Sequence, residues 1–271
     1  MHKVLKNQPL AEKIFRMEVE APLIPPNYRP GQFIIIMADS RSERIPLTIV
    51  ETKGNAVILI YQVVGRSTEK LSSLKAGDPV YGIVGPLGHA SEIKKFGKVV
   101  CIGGGVGTAV IYPEIRALKD AGNHITSIIG SRSGDLLILK KEIAGISDEL
   151  FLTTDDGSQG EKGLVTMPLE KILIKEKTDL VIAIGPVIMM KAVSGLTKRY
   201  SVKTIVSLNP IMVDGTGMCG ACRVIVDNQT KFACVDGPEF DAHLVDFDNL
   251  LLRSRQYQKQ EKEAHPCRKI N

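Results

Sequence analysis

Near Lys98 the chain changes rhythm, and that change restricts the fold more than any other feature of the sequence. Before it, apolar and polar residues alternate in short runs broken by turn residues; after it, apolar runs alternate with longer amphipathic stretches. A period of two marks half-buried strands, whereas strand–helix alternation builds a parallel sheet with helices on both faces. Two differently built domains are expected, and 271 residues suffice for both plus a small extra module.

In the first part, Phe15, Met17 and Val19 alternate with Arg16, Glu18 and Glu20, which predicts a strand over Lys13–Ala21. Further strands are expected at Phe33–Met37, Arg44–Glu51, Ala56–Val64 and Pro79–Val84, with one short helix, Ser67–Lys75, capped at Ala76-Gly77. Short strands with close turns predict a small antiparallel β barrel over residues 1–95. In the second part, residues 96–208, strands are expected at Lys98–Ile102, His124–Ile129, Leu150–Thr153, Leu180–Ile184 and Thr204–Leu208. Helices are expected at Thr108–Ala121, Asp135–Ala144, Val165–Lys175 and Val187–Arg199, giving a parallel-sheet α/β domain. Residues 209–271 hold a glycine- and cysteine-rich segment and then a polar tail from Phe240, which would pack on the chain itself or on another subunit.

Composition removes some functions. The net charge of +5 comes from scattered Lys and Arg, and only 5% of residues are aromatic, which argues against a nucleic-acid surface. No apolar run approaches the roughly 20 residues of a membrane helix, and Met1–Leu10 lacks a signal-peptide pattern, so a cytoplasmic location is expected. Three of the five cysteines crowd between Cys219 and Cys234, which in a reducing compartment points to metal rather than to disulfides.

That segment reads Asp214-Gly-Thr-Gly-Met-Cys219-Gly-Ala-Cys222, followed by Cys234. Its glycines let backbone amides turn inward toward sulfur, and the spacing is near the C-x4-C-x2-C pattern of plant-type [2Fe-2S] proteins, with Asp214 where the first cysteine would stand. Three readings are open: a [2Fe-2S] cluster on Asp214, Cys219, Cys222 and Cys234; a zinc site with the same donors; or thiols merely packed in a loop in which Asp214 is a turn residue. Cys101 reads as a small buried hydrophobe, and Cys267 is assigned no role.

Nucleotide chemistry is expected at the strand ends. Gly103, Gly104, Gly105, Gly107 and Thr108 join the first parallel strand to a helix, where a diphosphate can approach the backbone and the helix N-terminus, although such turns also serve packing alone. Asp155 and Asp156 follow the third strand of that part and Gly185 the fourth, so polar residues and glycines gather at the edge where open α/β sheets bind ligands. Arg132 and Asp135 lie where the ribose would be read, and they leave NAD and NADP both open. In the barrel, Arg44 and Thr48 flank Pro46 and Leu47 on an extended strand and share a face, as a flavin site needs or as a common surface pattern gives. Tyr61, Gln62 and Val63 lead into a helix start at which Ser67 and Thr68 would meet a phosphate or only cap the helix.

Together these segments resemble the ferredoxin-NADP reductase superfamily, through Pro30-Gly31-Gln32-Phe33, Arg44-x-Pro46-Leu47-Thr48, Gly85-Pro86-Leu87-Gly88, Gly103–Gly107 and Asp155-Asp156-Gly157. Within it the chain resembles the electron-transfer subunits of dihydroorotate dehydrogenase. It is more similar to the small subunits of NADH-dependent reduced ferredoxin:NADP oxidoreductase, a family also named sulfide dehydrogenase, which has an aspartate and three cysteines where the former has four cysteines. The resemblance implies FAD held by Arg44 and Thr48 with help from Tyr61–Val63, Ser67 and Thr68, a [2Fe-2S] cluster, and NAD(H) or NADP(H) as substrate. It further implies a larger glutamate-synthase-like partner carrying a second flavin and [4Fe-4S] clusters in a heterodimer, and electron bifurcation. No side chain is assigned as general acid or base.

Overall fold

A computed structural model describes residues 2–264. The first sheet comprises β1 (His2–Ala11), β2 (Ile14–Glu20), β3 (Phe33–Met37), β4 (Ile45–Lys53), β5 (Ala56–Gln62), β6 (Pro79–Val80) and β7 (Gly82–Leu87), with helix α1 (Arg66–Ser73) between β5 and β6. It is antiparallel in the order β6-β1-β2-β5-β4-β3-β7. The two edge strands, β6 and β7, are consecutive in the chain with only Tyr81 between them, so the sheet has to curl until its edges nearly meet. That curl makes the barrel, filled by Met17, Val19, Ile34, Ile36, Ile49, Leu59 and Tyr61.

Three local expectations change. The run expected as one strand over Pro79–Val84 divides, because Val80 pairs with His2 while Ile83 pairs with Ile36. The N-terminal segment is a ten-residue strand that period-two reading misses, since Val4 is its only buried side chain. Helix α1 ends before Ala76-Gly77: Leu74 caps it, and Asn7 Nδ2 donates to the carbonyls of Leu71 and Leu74 at 2.9 Å each.

The second sheet holds β8 (Lys98–Gly104), β9 (His124–Ser131), β10 (Glu149–Thr154), β11 (Glu161–Lys162), β12 (Leu180–Ile184), β13 (Thr204–Ser207) and a late strand, β16 (Glu239–Asp241). Its order is β11-β10-β9-β8-β12-β13-β16, parallel except where β16 runs against β13. Helices α2 (Gly107–Asp120) and α3 (Lys140–Ala144) cover one face, with Ile111, Ile115 and Ile143 on Val99, Cys101 and Ile182. Helices α4 (Thr166–Lys175) and α5 (Val187–Arg199) cover the other, with Leu169, Ile172 and Val193 on Val100, Ile102 and Val181. The helix expected over Asp135–Ala144 is cut short by Leu139 in the left-handed region (φ 55°). Leu137 and Ile138 are both buried but in different cores, which an extended backbone allows and a helix would not.

The two sheets share a core through α2, where Ala109 packs with Ile14, Val50 and Ile60 of the barrel and Arg116 reaches Glu51 at 3.4 Å. Residues after 208 form a small C-terminal module that adds β16 to the parallel sheet. Their hairpin, β14 (Arg223–Val226) and β15 (Gln229–Phe232), precedes β16, and α6 (Phe247–Ser254) buries Phe247 and Leu250 in the core of the parallel sheet; α7 (Gln258–Ala264) ends the described chain. The tail thus packs on the chain's own surface as far as α6, while Cys267 lies outside the described residues. No described helix is long and apolar enough to cross a membrane.

Candidate redox site

The barrel is open on one side. The ladder between β4 and β5 stops at Ile49–Leu59, yet β4 runs back to Ile45 beside β3 and β5 runs on to Gln62 beside β2. In the stretch so released, Ile45, Pro46, Leu47 and Thr48 are all half-buried, with Ile45 and Leu47 packed on the barrel core and no β5 partner beside them. Arg44 is exposed at its start. The cleft and its cation suit a flat ring and an anionic tail, which is what the donor set expected for FAD requires.

The other expected flavin contacts divide. The Tyr61 side chain is 2% exposed in the barrel core, with its hydroxyl 3.5 Å from Asn7 Oδ1, so only its backbone faces the cleft. The sequence pattern misses this because strand alternation does not say which face is the core. The Thr68 hydroxyl accepts from the N–H groups of Val64 and Gly65 at 3.0 Å and donates to the Gly65 carbonyl, and the Ser67 hydroxyl donates to Glu43. The Thr68 hydroxyl serves the start of α1, whereas that of Ser67 ties the helix to Glu43 in the loop before β4.

At the C-terminal edge of the parallel sheet, the adjacent strands β10, β9, β8 and β12 bring together Asp155 and Asp156, Gly130, Gly103–Gly107 and Gly185. Gly104 and Gly185 face one another under the Met189 thioether, whose sulfur would lie 2.4 Å from a Cβ at Gly104. Met189 is a contact that the sequence reading did not single out. Asp156 Oδ1 accepts from the Ser158 hydroxyl and N–H, which hold its carboxyl below the usual range. Thr108 is fully buried and its hydroxyl has no partner among the described residues. Its Cα lies 2.7 Å from where a Cβ on Gly103 would stand, so the turn packs closely on the start of α2.

The β14–β15 hairpin assembles the cysteines. It turns at Asp227-Asn228, both with positive φ (51° and 58°), as a two-residue type I′ connection needs. The ladder sets Arg223 opposite Phe232, so Cys222 and Cys234 meet beyond its open end with their sulfurs 3.1 Å apart. Burial, with Cys222 adding to it, pushes the Cys234 thiol up to about 12. Cys219 is exposed, and the N–H of Ala221 directed at its sulfur lowers its pKa, as amides do for cluster thiolates. Asp214 Oδ2 accepts from Thr216 N–H at 3.0 Å and from its hydroxyl, and Oδ1 lies 3.8 Å from Arg44 Nη1. These contacts, those from Thr216 foremost, hold the carboxyl below its usual range. Among the described residues no three His, Cys, Asp or Glu side chains converge into a finished metal site. The donors nevertheless suit an iron–sulfur cluster, with three thiols on one loop and hairpin and amides turned toward sulfur.

The loop bearing Asp214 rests on the barrel. Gly215 has φ 85°, and a Cβ there would lie 2.8 Å from Ile35 Cγ1 and Leu87 Cδ1, so glycine alone permits so close a seat. From the other side, Arg253 of α6 donates to the Ala221 carbonyl at 3.2 Å.

Known proteins share this arrangement. Residues 209–246 match the family described as the iron-sulfur cluster binding domain of dihydroorotate dehydrogenase B. A Thermotoga maritima protein named as a homologue of the dihydroorotate dehydrogenase B (NAD(+)) electron transfer subunit is 48% identical over 98% of this chain and 94% of its own length. The electron transfer subunit of that enzyme from Clostridium perfringens is 32% identical over 90% of this chain and 97% of its own length. A solved structure of NADH-dependent reduced ferredoxin-NADP oxidoreductase, a flavin-based electron-bifurcating enzyme, superposes with TM-score 0.93 at 47% identity, covering 98% of this chain and 97% of the other. Phthalate dioxygenase reductase, at 15% identity and TM-score 0.62 over 83% of this chain and 86% of its own, shares the fold. The chain belongs to the family of dihydroorotate dehydrogenase B electron-transfer subunits and their homologues.

Proposed function

We propose that the chain is the electron-transfer subunit of a bifurcating NADH/ferredoxin:NADP oxidoreductase, passing electrons between NAD(H) and a partner subunit. The observation that carries this reading is the seating of the Asp214–Cys222 loop on the open barrel, with Gly215 against Ile35 and Leu87 and Asp214 beside Arg44. When bound, FAD and a [2Fe-2S] cluster supply the conversion between a two-electron hydride and single electrons. Arg44 would neutralise the FAD diphosphate, and the backbone of Pro46–Thr48 and of Tyr61–Val63 would line the two lips of the cleft. Gly103–Gly107 and the N-terminus of α2 would hold the NAD(H) diphosphate close to backbone amides. Asp214, Cys219, Cys222 and Cys234 would ligate the cluster. The exposed Met218, 87% accessible beside Cys219, offers an apolar contact to a partner on the cluster side. That partner is read as a larger glutamate-synthase-like subunit with its own flavin and [4Fe-4S] clusters.

A second reading, the electron-transfer subunit of an NAD-linked dihydroorotate dehydrogenase, is favoured by the names of several relatives. Asp214 in place of a first cysteine weighs against it. The partner that co-purifies, glutamate-synthase-like or dihydroorotate-oxidising, separates the two.

The test is an anaerobic NADH titration of the purified chain, followed by visible and electron-paramagnetic-resonance (EPR) spectra, with iron, sulfide and zinc assayed on the same sample. Two irons per chain, flavin bands bleached by NADH and a reduced [2Fe-2S] signal are expected. Zinc without iron or flavin would overturn the reading.

A further inference from the structure

We propose that Arg44 is a positioning residue for Asp214 and that this pair ties the flavin cleft to the cluster loop, an inference that rests on the function proposed above. Arg44 stands at the start of the released stretch of β4, where a ligand in the cleft would meet it, and its Nη1 lies 3.8 Å from Asp214 Oδ1. The other carboxylate oxygen is taken by the Thr216 N–H and hydroxyl. Two parts of the fold therefore act on the carboxylate: Thr216 holds one oxygen by hydrogen bonds from its own turn, and Arg44 of the barrel places a positive charge beside the other. The loop cannot swing away cheaply, because Gly215 is pressed against Ile35 and Leu87 and the Ala221 carbonyl is held by Arg253.

Side chains of Arg44 and Asp214 are 43% and 27% exposed, and an ion pair this open does little for folding. Its effect is on direction and charge. Guanidinium presents five donors in a rigid fork, enough to serve a diphosphate and a carboxylate together, whereas lysine supplies the charge without the fork. Two consequences follow. Asp214 and a bound FAD diphosphate draw on one cation, so removing the Asp214 charge frees Arg44 for the diphosphate. A cation beside an oxygen donor of the cluster favours the reduced cluster, which carries one more negative charge, so removing it lowers the potential.

Both consequences can be measured on the full chain without assaying turnover. In metal-free protein, Asp214→Asn is expected to bind FAD several-fold more tightly than wild type, by quenching of flavin fluorescence. In protein loaded with cluster and stripped of FAD, Arg44→Gln is expected to shift the cluster midpoint to lower potential and to alter its EPR g values, with iron and sulfide content unchanged; Arg44→Lys should recover most of the potential. Unaltered FAD affinity in Asp214→Asn, or a potential and g values in Arg44→Gln that match wild type, would overturn the proposal while leaving the proposed function intact. A wild-type chain that takes up neither FAD nor iron would remove the function, and the proposal with it.

Discussion

Glu114 of α2 and Glu239 of β16 turn their carboxyl groups toward one another in the interior, where the Ser91 hydroxyl donates to Glu239 Oε1. Glu114 is fully buried, with the Glu239 carboxyl and the Ser91 hydroxyl as its polar neighbours. Two ionised carboxylates cannot hydrogen-bond, so the contact is favourable only with a proton on one of them. Burial, reinforced by Glu239, raises the Glu114 carboxyl well above its usual range; burial also raises Glu239, against the opposing effect of Ser91. A carboxyl raised in the folded state contributes stability that is complete below its unfolded pKa of about 4.5 and is lost as pH climbs through the folded value. Wild-type protein should therefore lose stability as pH rises above the unfolded value, and Glu114→Gln, which keeps the shape and removes the charge, should flatten that decline. Urea midpoints measured against pH check it; parallel profiles for the two proteins would count against a shared proton.

Leu250→Ala tests whether the tail is part of the fold. Leu250 is 1% exposed in α6 and belongs to the core of the parallel sheet. Truncating such a side chain costs about 2–5 kcal/mol through lost burial and the cavity left behind. A clear drop in the urea midpoint of the isolated chain is expected, whereas a tail held only by a partner would give almost none.

Much of this was readable from the residues, and the misses have definite causes. β3, β12 and α5 fall where the apolar residues put them, because β3 and β12 are continuous apolar runs buried on both faces and α5 buries one helical face. The crowding of Cys219, Cys222 and Cys234 marks the iron–sulfur segment. Three things escape a linear reading. β1 escapes because one buried side chain gives no periodicity. Tyr61 escapes because pattern alone does not tell a cleft from a core. The Glu114–Glu239 pair escapes because its members lie 125 positions apart (239 minus 114) and meet only through the placement of β16 beside β13.

Gly107→Ala should destabilise the chain despite alanine's better helix propensity. An added Cβ would stand 2.4 Å from the Ile184 carbonyl oxygen and 2.8 Å from its carbon. Those are backbone atoms of β12 and cannot turn aside, so α2 has to move off the sheet. The propensity gain of at most about 1 kcal/mol is outweighed by overpacking of about 1–3 kcal/mol. A lowered Tm and weaker NADH binding are expected together, since the same shift moves the Gly103–Gly107 turn at which the diphosphate is proposed to sit.

The three hairpin-side cysteines should differ in reactivity before any metal is bound, because the thiolate is the nucleophile and access limits it. Cys219 is exposed and its thiol is lowered by the Ala221 N–H, which favours the thiolate relative to the other cysteines. Cys222 and Cys234 are both 2% exposed, and Cys234 is pushed up to about 12 by burial and by its neighbour. Cys101 is 1% exposed in β8 and its thiol is raised well above the usual range by burial and by Glu114. Iodoacetamide added to metal-free protein at pH 7.5 (about one unit below an ordinary thiol) should therefore modify Cys219 first, Cys222 and Cys234 slowly and Cys101 only on unfolding. Peptide mapping by mass spectrometry separates these sites from Cys267, and in protein loaded with cluster Cys219 should become resistant. Equal labelling of Cys219 and Cys234 in the metal-free chain would mean that the hairpin does not hold its thiols apart from solvent; continued labelling of Cys219 in the loaded chain would remove it from the ligand set.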